Sequence, residues 1–320
     1  MNIIVLDGYT LNPGDNPWDE VEKLGNLITY DRTDPHQILE RALGADIIIT
    51  NKVPLFTETL EQLQRLSFIS VTATGYNIVD TLTARKRGIP VSNVPEYGTD
   101  SVAQFAFALL LELCHHVGIH SDAVKAGDWS KSKDWCFWKT PQMLLTGKKM
   151  GIVGFGRIGR RVGELAHAFG MEVMAYDPQQ TDLPAYKQFH WKSKEDLFAK
   201  ADIISLHCAQ TNENAGFVNH GLINLMKKDA FFINAARGGL VNEGDLVGAL
   251  NDGKIAGAAL DVSSIEPIQK DNPLLNARNC LITPHIAWAT MAARKKLMIL
   301  TAKNIKAFME GRPVNVVNGL

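Results

Sequence analysis

Cysteine is scarce in this sequence. Four residues, Cys114, Cys136, Cys208 and Cys280, are scattered over 320 positions with no CxxC pair. Such spacing argues against a disulfide framework and for free thiols in a reducing compartment. Long apolar runs are also missing, and the N-terminal MNIIVLDGY has the pattern of a short buried strand. Neither a membrane-spanning helix nor a signal peptide is expected, which points to the cytoplasm. There is no excess of either charge: 33 Lys and Arg face 34 Asp and Glu, for a net charge of −1. Nothing in that balance draws the chain to nucleic acid or to an anionic membrane. No internal repeat, low-complexity run or disordered tail stands out. What is present is 46% hydrophobic and 21% charged residues, enough for a core, in a length that fits about two domains.

Apolar, β-branched runs at residues 3–6, 47–50, 69–72 and 90–94 alternate with helical patterns at 36–43, 57–66 and 79–87, and Gly44 and Gly88 stand where helices stop. A second alternation begins at Lys149, with strands in MGIVGF, MEVMAYD, DIISLH, FFINAA, GAALDV and CLITPH. Strands separated by helices imply parallel sheets covered on both faces. Between the two sets, SVAQFAFALLLELCHH (101–116) is apolar on most of its faces and reads as a buried helix. A last helix is expected over residues 288–310. If it returns to the first sheet, the domains are residues 1–99 with 287–320, for substrate, and residues 100–286, for cofactor.

The strongest local signal is Gly154-Phe155-Gly156-Arg157-Ile158-Gly159, which follows a strand and opens a helix. In that context Gly154 allows the tight turn, Gly156 lets backbone approach a pyrophosphate, and Gly159 permits close helix–strand packing. Free amides at the helix start then face phosphate, aided by the helix dipole. Asp177 ends the next strand, 18 residues after Gly159, with uncharged Pro178 behind it. A carboxylate there accepts hydrogen bonds from ribose hydroxyls and repels a 2′-phosphate, which favours NAD(H) over NADP(H).

Three ionisable residues follow predicted strands: Arg237 after FFINAA, Glu266 after GAALDVSSI and His285 after CLITP. Carboxyl ends of parallel strands point into the ligand crevice. An Arg fork binds a carboxylate and polarises the carbonyl beside it. A His is a proton donor suited to neutral pH, and an adjacent Glu favours its imidazolium and fixes its orientation. Taken singly, each has a plainer reading: a surface ion pair, a turn residue before proline, a strand cap. Two further features have a bland and a sharper reading. Glu112, His116 and His120 fall on one helical stripe, but the chemistry needs no metal, and they read as the polar end of a buried helix. Trp129, Trp135 and Trp138 lie in an irregular segment, 128–141, and read as packing residues at a subunit interface.

Arg237 within NAARGGLVNE, Glu266 within LDVSSIEP and His285 within TPHIAWAT resemble the three signatures of the D-isomer-specific 2-hydroxyacid dehydrogenases. GIVGFGRIG, ATGYNIVD (73–80) and SVAQFAFALLL (101–111) resemble that family's cofactor loop, first-domain and hinge signatures, so the resemblance spans essentially the whole chain. LDGYTLNPGDNPWD, WCFWKT and HIAWAT are most similar to the branch that interconverts hydroxypyruvate and D-glycerate. The resemblance implies an α/β chain of two Rossmann- or flavodoxin-like domains with parallel sheets, an active-site cleft between them, and a homodimer. It implies NADH-dependent reduction of a small 2-keto acid, with hydroxypyruvate foremost and glyoxylate second. Arg237 would bind the substrate carboxylate, Glu266 would support His285, and His285 would donate the proton. Arg157 and Ile158 would offer amides to the pyrophosphate, Asp177 would hold the ribose, and Ala235 and Asp261 would meet the nicotinamide half. Amides near Thr74 and Gly75 would help to hold the carboxylate.

Departures from the family pattern are Gln104 for a usual Glu, Ala209 where a proline is common, which should loosen a cofactor-facing loop, and Asn242 for a usual Asp. Other members remain open, of the lactate, phenyllactate or phosphoglycerate type. The last would favour a basic patch and often adds a regulatory domain, which is not expected after Leu320. Formate dehydrogenases pair the histidine with Gln, which Glu266 argues against. A different class also stays open: NAD-sensing, corepressor-like binding proteins, for which loss of the triad would have spoken.

Overall fold

The computed structural model describes residues 1–180 and 182–320. The chain divides into two compact units, Met1–Gly98 with Ala289–Leu320, and Thr99–Trp288.

In the first unit, β1 (Asn2–Val5), α1 (Asp19–Glu22), β2 (Asn26–Thr29), α2 (Ile38–Ala42), β3 (Ile47–Thr50), α3 (Thr57–Leu60), β4 (Phe68–Val71), α4 (Thr81–Lys86) and β5 (Val91–Ser92) follow one another. The five strands form a parallel sheet in the order β2-β1-β3-β4-β5, the doubly wound flavodoxin-like arrangement. Strands β3 and β4 are buried at every position, as expected for strands covered on both faces. Strand β2 is not among the sequence expectations. It is an edge strand whose residues are mostly exposed, so it lacks the apolar run that marks its neighbours. The helix expected over 57–66 stops at Leu60 and continues as turns. Gly88 ends α4 with φ +69°, whereas Gly44 takes no left-handed conformation.

The second unit opens with α5 (Thr99–His115) and α6 (Val117–Lys125). Next come β6 (Lys149–Val153), α7 (Arg157–Ala168), β7 (Glu172–Tyr176), β8 (Phe189–Trp191), α8 (Lys194–Lys200), β9 (Ile203–Leu206) and α9 (His220–Ile223). The unit closes with β10 (Phe231–Asn234), α10 (Glu243–Asn251), β11 (Gly257–Leu260) and β12 (Cys280–Ile282). Its seven parallel strands run β12-β11-β10-β9-β6-β7-β8. This is the Rossmann order with one strand added, and the order reverses between β6 and β9. One face of the sheet packs on α5 and α7 through Phe107, Leu110, Leu113, Val162 and Ala166, and the other is covered through Leu197, Phe198, Leu222, Leu246 and Leu250. Each such large side chain contributes about 2 kcal/mol on burial. Strand β8, again at an edge, was not expected from sequence either.

The last helix, α11 (Met291–Met309), belongs to the first unit, where it packs on α1 and β4. Arg294 near its start binds Asp15 through two bonds, of 2.6 and 2.7 Å, and donates a third to the Leu11 carbonyl. That fixes the loop after β1. Among the described residues no single helix is long and apolar enough to cross a membrane; the bent pair α5–α6 passes the test only jointly, and α5 is a core helix.

Candidate active site

The glycine loop lies at the reversal between β6 and β9. Gly154 has φ +91°, and a Cβ there would sit 2.4 Å from the Cys208 amide nitrogen. A Cβ on Gly159 would sit 2.1 Å from the Gly154 carbonyl oxygen, so loop and helix meet without room for a side chain. At Gly156 the same test meets nothing within 4 Å, and no side chain caps the start of α7. Open space before an uncapped helix start, where the amides of Arg157 and Ile158 stand, is what a pyrophosphate requires. Phe155 is enclosed by Phe189 and Trp191, with ring centroids at 4.8 and 5.5 Å, which stiffens the loop from beneath.

Asp177 follows β7, next to β6 in the sheet. Its carboxylate accepts the Phe155 amide at 2.8 Å and the Gln179 amide at 2.9 Å. Each oxygen keeps a second lone pair for a ribose hydroxyl. Asp177→Ala is therefore expected to weaken NADH binding and to narrow the preference for NADH over NADPH, read by titrating both cofactors. A wild-type protein that already prefers NADPH contradicts the assignment.

The loop after β9 is firmer than Ala209 led one to expect. Asn214 donates to the Ala209 carbonyl at 2.8 Å and accepts the Thr211 amide at 2.7 Å. Burial pushes the Cys208 thiol up to about 11, so it stays protonated and is no nucleophile. His207, just before it, pairs one ring nitrogen with the Ser205 hydroxyl at 2.8 Å. The other ring nitrogen is enclosed without a partner among the described residues, although the residue keeps a partly exposed surface. Burial lowers this imidazole from 6.5 to about 4. The folded chain thus keeps it neutral while the unfolded chain takes up a proton below 6.5. Stability is expected to fall as pH drops from 6.5 towards 4, by no more than about 3 kcal/mol from this residue. In urea titrations His207→Gln should lose less stability than wild type over that window; equal losses contradict this.

Strands β10, β11 and β12 are neighbours in register, Asn234 beside Leu260 and Leu260 beside Ile282. Their carboxyl ends therefore put Ala235 and Arg237, Asp261 and Glu266, and His285 along one edge. His285 and Glu266 are in direct contact, Nδ1 to Oε2 at 2.7 Å, with side chains 25% and 32% exposed. His285 Nε2 has no partner among the described residues and is the nitrogen left for a ligand. Arg237 donates from one terminal nitrogen to the Ala236 carbonyl and forms no ion pair among the described residues. That removes the plain surface-pair reading and leaves the guanidinium available to an anion. The loops carrying Arg237 and Glu266 touch: a Cβ on Gly238 would lie 1.9 Å from the Ser263 carbonyl carbon.

Asp261, at the end of β11, braces the turn that follows β12. It is 1% exposed, and its carboxylate accepts the Thr283 hydroxyl at 2.6 Å, the Ile286 amide at 2.9 Å and the Ala287 amide at 2.8 Å. It clamps the turn around His285, whose backbone has φ +55°, a conformation that needs such support. Burial raises its pKa, and these three donors work against the rise. The Thr283 hydroxyl and Glu243, which accepts the Ser264 amide, are supports that the motifs did not single out. Only the LVNE stretch hinted at Glu243.

In the first unit Thr74 and Gly75 follow β4. The Thr74 carbonyl accepts Asn93 at 2.7 Å and its hydroxyl donates to Val94. The two amides have no partner among the described residues. Asp7 supports the neighbouring loop by accepting the amides of Asn51, Lys52 and Val53; burial raises its pKa and the amides oppose that rise.

The Glu112–His116–His120 stripe does not survive folding. His116 takes φ +45° between α5 and α6, the chain bends by 55°, and both His120 ring nitrogens are used, on the His116 carbonyl and the Lys139 amide. No group of three or more His, Cys, Asp or Glu is placed to hold a metal among the described residues. Gln104 is exposed on α5, and Asn242 caps α10 by accepting the Asp245 amide, as Asp would. The tryptophan segment carries no helix or strand, and Trp135 and Trp138 are 85% and 70% exposed.

Residues 107–287 match the model of the D-isomer specific 2-hydroxyacid dehydrogenase, NAD binding domain. The chain is 50% identical to a hydroxypyruvate reductase of Blautia hydrogenotrophica over 99% of its own length and all of that protein. It is 37% identical to a glycerate dehydrogenase of Methylorubrum extorquens over 88% of each chain. Among solved structures, D-lactate dehydrogenase from Aquifex aeolicus complexed with NAD and lactic acid superposes with a TM-score of 0.85 at 30% identity, covering 97% of this chain and 96% of that one.

Proposed function

Because the chain belongs to the D-isomer specific 2-hydroxyacid dehydrogenase family, we propose that it reduces a small 2-keto acid to the D-2-hydroxy acid with NADH, hydroxypyruvate to D-glycerate first and glyoxylate second. The observation that carries the reading is the His285–Glu266 contact of 2.7 Å in register with an Arg237 that has no ion pair among the described residues.

The Gly154–Gly159 loop and Asp177 would hold NADH, which when bound would supply the hydride. Arg237 binds the substrate carboxylate and draws electron density from the adjacent carbonyl. His285 donates the Nε2 proton to the carbonyl oxygen, while Glu266 holds Nδ1 and compensates the imidazolium charge. In the reverse direction neutral His285 removes the hydroxyl proton. Ala235 and Asp261 stand at the same edge towards the nicotinamide half, and Asp261 also fixes the His285 turn. The amides of Thr74 and Gly75 are the first unit's candidates for the carboxylate.

We place the protein in the cytoplasm and assign it a homodimer through the tryptophan segment, whose exposed Trp129, Trp135 and Trp138 adjoin exposed Val117, Ile119 and Leu144 in the chain. Monomeric sedimentation would refute the dimer. For the activity, hydroxypyruvate, glyoxylate, pyruvate and phenylpyruvate are compared by kcat/KM with NADH and with NADPH. Hydroxypyruvate with NADH should rank first; a preference for phenylpyruvate or pyruvate overturns the substrate assignment.

A further inference from the structure

Glu243 opens α10, six residues after Arg237. Its carboxylate has no cationic partner among the described residues. Both oxygens are spent on the loop that carries Glu266: Oε1 accepts the Ser264 amide at 2.6 Å and Oε2 accepts the Asn272 side-chain amide at 2.9 Å. Between those anchors the loop folds on itself. Ser263 donates its hydroxyl to the Ile265 carbonyl at 2.6 Å and its amide to Glu266 Oε1 at 3.3 Å, and Glu266 Oε2 meets His285. From the other side, Gly238 lies against the Ser263 backbone. The stretch that presents Arg237 thus also grips the Glu266 loop at two places.

We propose that Glu243 is a positioning residue for the proton donor: it holds the Glu266 loop at the height where the Glu266 carboxylate meets His285 Nδ1. The inference rests on the proposed reductase reading. Hydrogen bonds from two neutral donors to one carboxylate are charge-assisted, so the grip is strong for its size. Without it the Ser263–Glu266 turn keeps its internal bonds but loses its anchor, and Glu266 drifts from the imidazole. The charged groups around His285 are Glu266 at Nδ1, Asp261 under the turn, and Arg237 two strands away. Removing the Glu266 contact therefore leaves Nδ1 without its acceptor and the ring without its fixed orientation.

Three variants separate positioning from a plain helix-stabilising role, since an acidic residue in the first turn of a helix also favours that helix. Glu243→Ala removes both acceptors. Glu243→Asp keeps the charge at the start of α10 but falls one methylene short of Ser264. Glu243→Gln keeps an acceptor for Ser264. With NADH and hydroxypyruvate, Glu243→Ala and Glu243→Asp should lower kcat about tenfold or more, in line with the cost of small misplacements of a catalytic group. KM for NADH should stay within about twofold of wild type on the same ground. The high-pH limb of the reduction profile should move, because the proton donor loses its Nδ1 partner. Glu243→Gln should restore the limb and most of kcat. A limb that stays in place in Glu243→Asp overturns the proposal, even if kcat falls. NMR of the His285 ring in the unliganded protein gives an independent readout: the downfield Nδ1–H resonance of the bond to Glu266 should be lost or move upfield in Glu243→Asp, and an unchanged resonance overturns the proposal whether or not the enzyme turns over. Absence of turnover in the wild type instead overturns the reductase reading alone.

Discussion

His285→Ala is expected to lower kcat for keto-acid reduction by about 10²–10⁴-fold, the usual contribution of a placed general acid. NADH binding should be nearly unchanged, because the glycine loop follows β6 and Asp177 follows β7, four and five strands from β12 in the sheet order. The size of the effect follows from geometry. His285 Nε2, without a partner among the described residues, stands at the strand ends, and Nδ1 is already held by Glu266. The backbone there is left-handed and fastened by Asp261 through the Ile286 and Ala287 amides, so the ring has little freedom to be replaced by water in the same place. Pre-steady-state and steady-state kinetics with a parallel NADH titration distinguish a lost proton donor from a lost binding site. A kcat within a fewfold of wild type would remove His285 from the mechanism.

Arg237 carries the second large effect. Truncating one partner of a desolvated charge pair costs about 2–5 kcal/mol, so Arg237→Ala should lower kcat/KM for the keto acid by about 30- to 4,000-fold. Arg237→Lys should recover only part of this, because an ammonium cannot reproduce the planar fork. The loss should fall on the keto acid and not on NADH. If Arg237→Ala raises KM for NADH and leaves the keto acid alone, the guanidinium binds cofactor, and the carboxylate must be held elsewhere, with the Thr74 and Gly75 amides next to be tested.

These positions were readable because their signals are local. A glycine loop is contiguous, and a strand followed by a charged residue is a short pattern, so Gly154, Asp177, Arg237, Glu266 and His285 could be named from sequence. Central strands could be placed because burial on both faces leaves unbroken apolar runs such as III at 47–49. Strands β2 and β8 could not: β2 is mostly exposed and the three residues of β8 include no buried one, so neither shows an apolar run. The supports were the least legible part. Asp7 reaches 44–46 residues along the chain, Asp261 reaches 22–26 and Glu243 reaches 21–29. Each is a carboxylate with at least one backbone amide among its partners, and backbone amides leave no mark in a sequence. Asp261 illustrates this well: it was chosen as a position, while its grip on the His285 turn became visible only once β11 and β12 were side by side.

The most direct measurement is NADH oxidation by the purified wild-type protein on addition of each 2-keto acid, alongside a titration of NADH binding to the same preparation. The account predicts NADH binding followed by oxidation with hydroxypyruvate and formation of D-glycerate. NADH binding with no oxidation by any 2-keto acid would contradict it.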